Sequence, residues 1–362
     1  MGKYKVVVYA IAKNEEKYAD AWAKNMSEAD AVYVLLDPTT SDRTKEILES
    51  NGVIVKEKLI SPWKFDKARN ESLKLVPKDT DICVCTDLDE LFDPGWRQIL
   101  EDNWKEDTNQ AIYKHYYNAN RPNELPNIFD DTKIHDRNSF KWKWSIHEHL
   151  VTKKPQYVNY VHMDIMLRHY PDDTKVRGYR NLLEQAVKTS KKDARYVALL
   201  AEEYYIAKMY DDVEKTCRYL LKLKNLSAWH ICMAYKYLIV SKNEQLMYAD
   251  VKKLSYEALS NCDYCRFFYG ELGRVCILNY DEHEIGISML KKCMEIKEDI
   301  IIGRECEWKD IAYIKNLISM GYYYLKDYDN AIKYVEMAIN ENPNDQIYKN
   351  NLELYKKAKE NN

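Results

Sequence analysis

The sequence predicts a protein of two parts, an α/β half with a mostly parallel sheet and an all-α half built from helical repeats. In the first half, short apolar runs alternate with helical segments of about ten residues, which is typical of right-handed βαβ units. Strand-like patterns stop near Arg177, and long amphipathic helices follow. At 362 residues the chain is long enough for two domains, which we place at residues 1–180 and 181–362.

Four predicted strands open the first half, at residues 4–11, 31–36, 53–55 and 82–85. They are apolar and rich in β-branched residues, as strands buried in a sheet are. Helices are predicted to about residue 26 and over residues 43–50, where Ser41 or Asp42 can cap the helix start. Polar clusters follow the first, second and fourth strands. Because ligands of open α/β sheets bind at the carboxyl ends of strands, these clusters favour a nucleotide site.

The most informative cluster is Asp87-Leu88-Asp89, which follows the fourth strand. Two carboxylates at alternate positions form a concentration of negative charge. Hard oxygen ligands of this kind suit Mg²⁺ or Mn²⁺, which can in turn hold a diphosphate. Taken alone, so short an acidic triplet is better explained as a solvated turn.

Four motifs occur in order within about ninety residues, and together they resemble the motifs of family 2 glycosyltransferases with the GT-A fold. They read IAKNEE at residues 11–16, LDPTTSDRT at 36–44, FDKARNESL at 65–73 and DLDE at 87–90. The second motif departs from the family pattern, since Thr39 and Arg43 stand where glycines are usual. The resemblance implies a Rossmann-like N-terminal domain that binds a nucleoside diphosphate sugar.

The resemblance also implies which residues bind the donor and its metal ion. Arg69 would pair with phosphate oxygens through its fork of donors, although a structural salt bridge is the alternative. Mn²⁺ or Mg²⁺ would be held by Asp87, Asp89 and His169, with a purely structural histidine as the alternative at His169. Lys175 and Arg177 would close over the diphosphate, or else cap and solvate the next helix. The full predicted donor site is Ala12, Asn14, Glu15, Asp37, Asp42, Arg69, Asp87, Leu88, Lys175 and Arg177.

A catalytic pair is implied by Ile146-His147-Glu148, which resembles a His-Glu element that follows the metal motif in several such families. Glu148, with His147 beside it, would act as the general base of an inverting transfer. Asp136 and Glu90 are alternative bases, and a surface glutamate paired with lysine is the structural alternative for Glu148. Phe140, Trp142 and Trp144 alternate just upstream and would share one face of a strand.

The second half resembles a tetratricopeptide array. Tyr210, Asn243 and Tyr280 lie at analogous helix–helix turns separated by 33 and 37 residues, and Tyr328 begins a further copy. The last copy carries small, aromatic or proline residues where that repeat has them, at Ser319, Tyr322, Ala331, Ala338 and Pro343. A wider gap before it holds an irregular segment at residues 299–304. Stacked helix pairs form a concave face that can bind a polypeptide, while packing alone would also explain most of the 31 tyrosines.

Net charge, the length of apolar runs and the cysteine content narrow the possible partners and the compartment of the protein. A net charge of −3 does not favour a nucleic-acid partner. No apolar run reaches the roughly 20 residues that span a bilayer, and the chain enters its first strand without a signal peptide, so we expect a cytoplasmic protein. The nine cysteines are then expected to be mostly buried and reduced. Cys262 and Cys265 have zinc-knuckle spacing, but no second pair accompanies them.

The resemblance therefore implies a hexosyltransferase-type enzyme that uses Mn²⁺ or Mg²⁺ and a nucleoside diphosphate sugar, with a UDP-sugar favoured. A polypeptide is the favoured acceptor, ahead of a saccharide or a modified nucleobase. The alternative is a non-catalytic nucleotide-binding scaffold that recruits partners through its repeats. The sequence leaves the oligomeric state open.

Overall fold

The structure, a computed structural model, describes residues 2–122, 124, 126–155, 157–172, 178–190, 192–297 and 307–361. By its internal contacts the chain divides into two compact units, Met1–Arg177 and Gly178–Asn362. This division lies close to the predicted boundary at residues 180 and 181. The functions assigned to the two domains stay predictions.

The N-terminal unit is a mixed sheet with helices on its faces. Its strands are β1 (Val6–Ala12), β2 (Ala31–Leu36), β3 (Ile54–Glu57), β4 (Ile82–Cys85), β5 (Glu90–Phe92), β6 (Gln110–Tyr116), β7 (Ile128–Asp136), β8 (Phe140–Lys143), β9 (His149–Thr152) and β10 (Tyr160–His169). Its helices are α1 (Glu16–Met26), α2 (Thr44–Ser50), α3 (Phe65–Leu75) and α4 (Trp96–Asn103). Eight strands form one sheet in the order β3-β2-β1-β4-β7-β6-β10-β5, and β8 pairs with β9 in a separate ribbon.

The sheet is parallel in only part of its width. The four strands from β3 to β4 are mutually parallel, as the alternation of strands and helices predicts. Beyond β4 the expectation of a mostly parallel sheet is wrong, because β7 runs antiparallel to both β4 and β6, and β5 runs antiparallel to β10. Antiparallel neighbours need no crossover helix, and after α4 no helix is found among the described residues from β6 to β10.

Strand β1 lies at the centre of the core and is buried on both faces. Val6 and Val8 pack on one face with Trp22 of α1. Val7 and Tyr9 pack on the other face, in a cluster that includes Trp142. This two-sided burial explains why the strand reads as a continuous apolar run rather than an alternating pattern.

The C-terminal unit consists of helices arranged in successive antiparallel pairs. They are α5 (Tyr179–Thr189), α6 (Ala194–Ile206), α7 (Tyr210–Leu220), α8 (Ala228–Glu244), α9 (Tyr248–Asn261), α10 (Arg266–Asn279), α11 (His283–Glu295), α12 (Ile311–Tyr324), α13 (Tyr328–Glu341) and α14 (Gln346–Glu360). A short 3-10 helix, Glu307–Lys309, precedes α12. The predicted motifs at Tyr210 and Tyr328 coincide with the starts of the second helices α7 and α13. Tyr280 lies three residues before the start of α11, and Asn243 lies in the last turn of α8, five residues before α9. The expectation of a helical repeat part is thus confirmed, while the predicted irregular segment at residues 299–304 lies outside the described residues.

The turn inside each of these four helix pairs contains a residue in the left-handed conformation. These residues are Lys208, Leu246, Asp281 and Lys326, with φ between 50° and 61°. In three of the turns the next backbone N–H donates to a carbonyl five residues earlier, as Asp327 does to Tyr322 at 3.0 Å. This is the bond that closes a Schellman motif, a turn in which glycine is the usual left-handed residue. The repeat therefore recurs in backbone geometry as well as in sequence.

Candidate functional site

The carboxyl ends of β1, β2 and β4 bring several of the predicted donor-site residues to one edge of the sheet. Asp37 directly follows β2 and is 7% exposed. The Thr39 backbone N–H and hydroxyl donate to its Oδ1 at 2.8 and 2.6 Å, and Lys13 Nζ lies 3.6 Å from its Oδ2. Burial opposes ionisation of Asp37, but these hydrogen bonds and the Lys13 charge hold the pKa of its carboxyl below the usual value. Asp37 is therefore a fixed anion at the sheet edge.

Asn14 and Asp42 organise the two loops at this edge. Asn14 has a φ of 53°, and its Oδ1 accepts a hydrogen bond from the Ser41 backbone at 2.8 Å. The Asp42 carboxylate accepts bonds from the backbone N–H groups of Thr44 and Glu16, each at 3.0 Å. These bonds join the loop after β1 to the loop after β2. As placed, both side chains brace the backbone beside Asp37.

Arg69 is the centre of a buried ion-pair network. It lies on α3 with its side chain 4% exposed, and its Nη2 is 2.6 Å from Asp87 Oδ1 while its Nε is 3.0 Å from Glu148 Oε1. Its guanidinium also lies over the Trp142 ring at 5.5 Å. Burial opposes ionisation of Asp87, but the Arg69 charge lowers the pKa of its carboxyl. The alternative of a structural salt bridge for Arg69 thus describes the observed contacts.

Two of the three predicted metal ligands, Asp89 and His169, contact each other, but the third, Asp87, forms its ion pair with a different residue. Asp89 Oδ2 lies 3.2 Å from His169 Nε2, and the His169 Nδ1 side faces the Tyr117 carbonyl at 2.8 Å. Burial lowers the pKa of His169, yet the hydrogen bond to Asp89 outweighs it and the pKa is raised. Asp87 is bound by Arg69 instead. Across the described ranges, no group of three His, Cys, Asp or Glu side chains is placed to hold a metal ion.

The predicted three-ligand manganese centre is therefore not assembled in this structure. The physical reason is that Asp87 gains more from a direct bond to a buried guanidinium than from facing another carboxylate. The predicted Mn²⁺ or Mg²⁺ ion itself is untested and stays a prediction.

A second charged cluster beside this edge was not anticipated from the sequence. Lys133 Nζ lies 2.9 Å from the buried Glu90 carboxylate, and His115 Nδ1 lies 2.9 Å from Asp131 Oδ2. The cluster joins β5, β6 and β7, which are distant in sequence. The sequence does carry one signal for this cluster, which is the alternation of Asp131, Lys133 and His135. Such alternation is expected of a strand that has one face turned towards other charged groups.

The remaining predicted residues occupy varied positions. His147 is exposed with a φ of 50°, and the adjacent Glu148 is half-buried. Ala12 and Leu88 are core residues, at 7% and 2% exposure. Phe140 and Trp142 are buried on β8, whereas Trp144 lies beyond the end of that strand. Lys175 and Arg177 lie outside the described residues. The predicted roles of these side chains in binding and catalysis are untested.

A mostly apolar cavity of about 290 Å³ lies between α1 and the segment around β5. Its lining includes Asp89, Asn120 and Lys17 among apolar and aromatic groups, the others being Tyr18, Ala21, Leu88, Leu91 and Tyr170. One wall thus carries a member of the Asp89–His169 pair.

Comparisons with known proteins identify no family for this chain. No family model matches it, and no curated protein matches it. A crystal structure of MamA is similar over 45% of this chain and 86% of its own, with 18% identity and a TM-score of 0.38. YrrB, a TPR protein with an unusual peptide-binding site, is similar over 50% and 86%, with 15% identity and a TM-score of 0.42. The second TPR domain of human RPAP3, solved with an HSP70 peptide, is similar over 36% and 98%, with 8% identity and a TM-score of 0.31.

These comparisons correct the functional expectation from the sequence. The assignment to family 2 glycosyltransferases is wrong, since neither a family model nor a curated protein supports it and the similar solved structures are repeat proteins such as MamA and YrrB. The enzyme class, the sugar-transfer activity and the identification of residues 87–89 as a glycosyltransferase metal motif are therefore wrong as well. The mixed α/β architecture and the helical repeat part stand. In the described part of the chain, no helix has both the length and the apolar character to cross a membrane.

Proposed function

We propose that this protein is a non-catalytic scaffold whose helical unit binds an extended polypeptide segment and whose N-terminal unit binds a nucleotide. The proposal for the helical unit rests on which helices approach one another along the stack. Consecutive first helices contact each other directly, α6 with α8 and α10 with α12. In a curved stack of helix pairs, the helices on the inner side approach their counterparts in the next pair more closely. The first helices therefore line the inner face.

The observation that carries the proposal is a row of polar side chains joining these first helices. At the end of α8, Asn243 donates to Glu271 of α10 at 2.6 Å and accepts from Arg274 at 2.7 Å. Further along the row, Asn351 of α14 donates to Asn316 of α12 at 2.8 Å. Carboxamides present both donors and acceptors, which matches the alternating groups of an extended peptide backbone. Asn243 and Asn351 are half-buried above the buried Glu271 and Asn316, and exposed amide groups held in this way suit peptide recognition by main-chain hydrogen bonds.

Aromatic side chains extend the same face towards α6. Tyr205 of α6 and Tyr237 of α8 lie with their ring centroids 5.6 Å apart. Tyr237 is buried and Tyr205 is half-buried, so Tyr237 holds the Tyr205 ring in place. Tyrosine supplies large amphipathic contact area at low entropic cost, so Tyr205 can anchor an apolar side chain of the peptide.

The test is selection of binders from a displayed library of unstructured peptides against the full-length protein. Asn316→Ala and Asn351→Ala should each weaken a selected peptide at least about tenfold, since each removes a hydrogen-bonding group from the row. Asn350→Ala is the matched control, because Asn350 is an exposed neighbour on the same helix and its side chain accepts a bond from Gln346, within its own turn, at 2.9 Å. Equal affinity of all three variants for every selected peptide would refute binding along this face.

The nucleotide site is supported by the topology of the N-terminal sheet. The chain moves from β1 outward to β2 and β3, then returns to place β4 on the other side of β1. Such a reversal creates a crevice outside the carboxyl ends of the strands, where open α/β sheets bind ligands. Asp37 follows β2 beside this crevice, and Asp87 follows β4. An anionic group in that position suits ribose hydroxyls, and the nearby Lys13 suits a phosphate.

Calorimetric titration of the full-length protein with nucleoside mono-, di- and triphosphates tests this second site. Asp37→Asn should reduce affinity about tenfold or more, because a neutral amide replaces a charge-assisted hydrogen-bond acceptor. Asp79→Asn is the control, since Asp79 is an exposed carboxylate bonded to Lys5 away from the sheet edge. Failure of every nucleotide to bind would remove this part of the proposal and leave the scaffold role of the repeats intact.

A further inference from the structure

Three cysteines meet inside the helical unit, although they come from separate parts of the chain. Cys232 lies on α8, Cys262 is the residue that ends α9, and Cys265 immediately precedes α10. The Cys232 and Cys262 Sγ atoms lie 2.8 Å apart, and the Cys265 side chain is a second hydrogen-bonding partner of Cys232. The fold thereby supplies Cys232 as the neighbour that the sequence spacing of Cys262 and Cys265 lacks.

The three thiols are free and buried, but they lie directly beneath a surface turn. Each is no more than 2% exposed. Asp263 and Tyr264, the two residues between Cys262 and Cys265, are both exposed. A small opening of this two-residue turn is enough to admit a small reagent to the sulfur atoms, because local openings of turns need far less free energy than global unfolding.

The hydrogen bond between Cys232 and Cys262 shifts their pKa values in opposite directions, and this favours one of the two as the nucleophile. The hydrogen bond with the Cys232 thiol lowers the pKa of Cys262, and hydrogen bonds from Tyr264 act in the same direction. The hydrogen bond to Cys262 raises the pKa of Cys232. Since the thiolate is the attacking species in thiol–disulfide exchange, Cys262 is the group that reacts first.

We infer that Cys232 and Cys262 form a reversible disulfide that ties α8 to the turn between α9 and α10, with a small-molecule disulfide such as glutathione disulfide as the oxidant. The Cys262 thiolate attacks one sulfur of the oxidant, which releases one thiolate and leaves a mixed disulfide on Cys262. The Cys232 thiol then loses its proton and attacks the Cys262 sulfur, which releases the second thiolate. Two protein thiols are oxidised and one oxidant molecule is reduced to two thiols.

The bond acts within the α8–α9 helix pair. Cys232 and Cys262 are 30 residues apart in the chain, and the bond closes that loop at the end of α9, where the turn into α10 begins. Oxidation therefore fixes the end of α9 against α8. A crosslink of this loop length stabilises mainly by restricting the unfolded chain.

The experiment is incubation of the full-length protein with glutathione disulfide, followed by alkylation and mapping of unreduced peptides by mass spectrometry. We expect a crosslinked pair of peptides containing Cys232 and Cys262, and a fall in titratable thiols from nine to seven. Thermal unfolding of the helical unit should shift upward by about 5–10 °C and return with dithiothreitol.

Two serine variants separate this bond from a general effect of oxidation. Cys262→Ser should lose both the crosslinked peptide and the thermal shift. Cys217→Ser, which also places a hydroxyl at a buried cysteine of a neighbouring helix, should retain both. Retention of all nine thiols in the native protein, or a bond between a different pair of cysteines, would overturn the inference.

Discussion

At the scale of single residues, the N-terminal unit is organised around buried charges that satisfy one another. Arg69 donates to Asp87 and Glu148 through separate nitrogens. The pairing explains why Arg69 and Glu148, whose side chains are 4% and 12% exposed, can carry charges in the packed interior, since each has a partner at hydrogen-bond distance. Removing one of these two leaves the other buried without compensation, and that loss is larger than the net contribution of the intact pair.

Replacement of Arg69 measures this effect. Arg69→Met should destabilise the N-terminal unit by about 2–3 kcal/mol, because the largely buried Glu148 loses its partner while Asp87, whose side chain is 39% exposed, is solvated by water instead. Arg43→Met, which removes an exposed pair with Glu46, should leave stability almost unchanged, because water already solvates both charges. Urea unfolding followed by tryptophan fluorescence reports on this unit, which holds six of the eight tryptophans. If the two changes altered the free energy of unfolding equally, the Arg69 ion pairs would contribute no more to stability than the exposed Arg43–Glu46 pair does.

His135 gives the unit a pH dependence with a definite sign. Its ring is fully buried between the Tyr9 hydroxyl, 2.8 Å from Nε2, and the Asp136 carbonyl, 2.7 Å from Nδ1. Burial lowers the pKa of His135 from 6.5 to about 4. Between these values the unfolded chain binds a proton that the folded chain does not, so stability rises with pH over this interval.

The expected size of the His135 effect follows from that shift. The wild-type unit should lose about 3 kcal/mol from this group between pH 7 and pH 4. His135→Gln keeps a donor and an acceptor but does not titrate, so its stability should fall less steeply with acid. Urea titrations at a series of pH values test the difference, and parallel profiles for the two proteins would contradict the assignment.

At the scale of elements, the helix pairs of the C-terminal unit share one way of turning. Each of four turns uses a non-glycine residue in the left-handed region. That conformation is unfavourable for residues with a Cβ atom and natural for glycine. The chain therefore tolerates a small local cost at every turn in return for the hydrogen bonds that close it.

Substitution at one such turn tests this account. Lys326→Gly should stabilise the helical unit by about 0.5–1 kcal/mol, since a φ of 61° suits glycine. Lys333→Gly, placed inside α13, should destabilise it by about 1 kcal/mol, because glycine is a poor helix former. Thermal unfolding followed by circular dichroism at 222 nm compares the two. A loss of stability at position 326 would mean that the Lys326 side chain makes a contact worth more than the relieved strain.

At the scale of the whole molecule, the chain forms two units with separate apolar cores. The main cluster of the N-terminal unit is built around β1, α1 and β10. A larger cluster runs through the helical unit from Val197 to Ile318 and shares no member with it. Stability in stacked repeats is a sum of local and nearest-neighbour terms, so the helical unit does not depend on a sheet for its core.

Separate expression of the helical unit tests this independence. A chain of residues 178–362 should fold with a cooperative melting transition within about 3 °C of that seen for this unit in the full-length protein. A chain that begins at residue 245 would lose α6 to α8 and with them much of the cluster, so it should melt at a lower temperature. A 178–362 chain that fails to reach helical circular dichroism would show that the N-terminal unit completes its core.

The sequence by itself determined the elements whose signals are local. The first four strands, the helices α1 and α2 and the starts of α7 and α13 follow from apolar period and turn residues, which act over a few positions. Four ordered motifs were also local signals, yet they led to a family that the comparisons do not support. A motif specifies residue types, whereas activity depends on which partners those residues meet.

Only the tertiary structure decided those partners. Long-range pairing placed Glu148 against Arg69 across 79 residues and bonded Asp87 to the same guanidinium. It also set β7 antiparallel between β4 and β6, and it brought Cys232 to Cys262. The physical reason is that charges and thiols lower their free energy through whichever complementary group the packed core brings near. That group is fixed by the packing of distant segments, on which local periodicity carries no information.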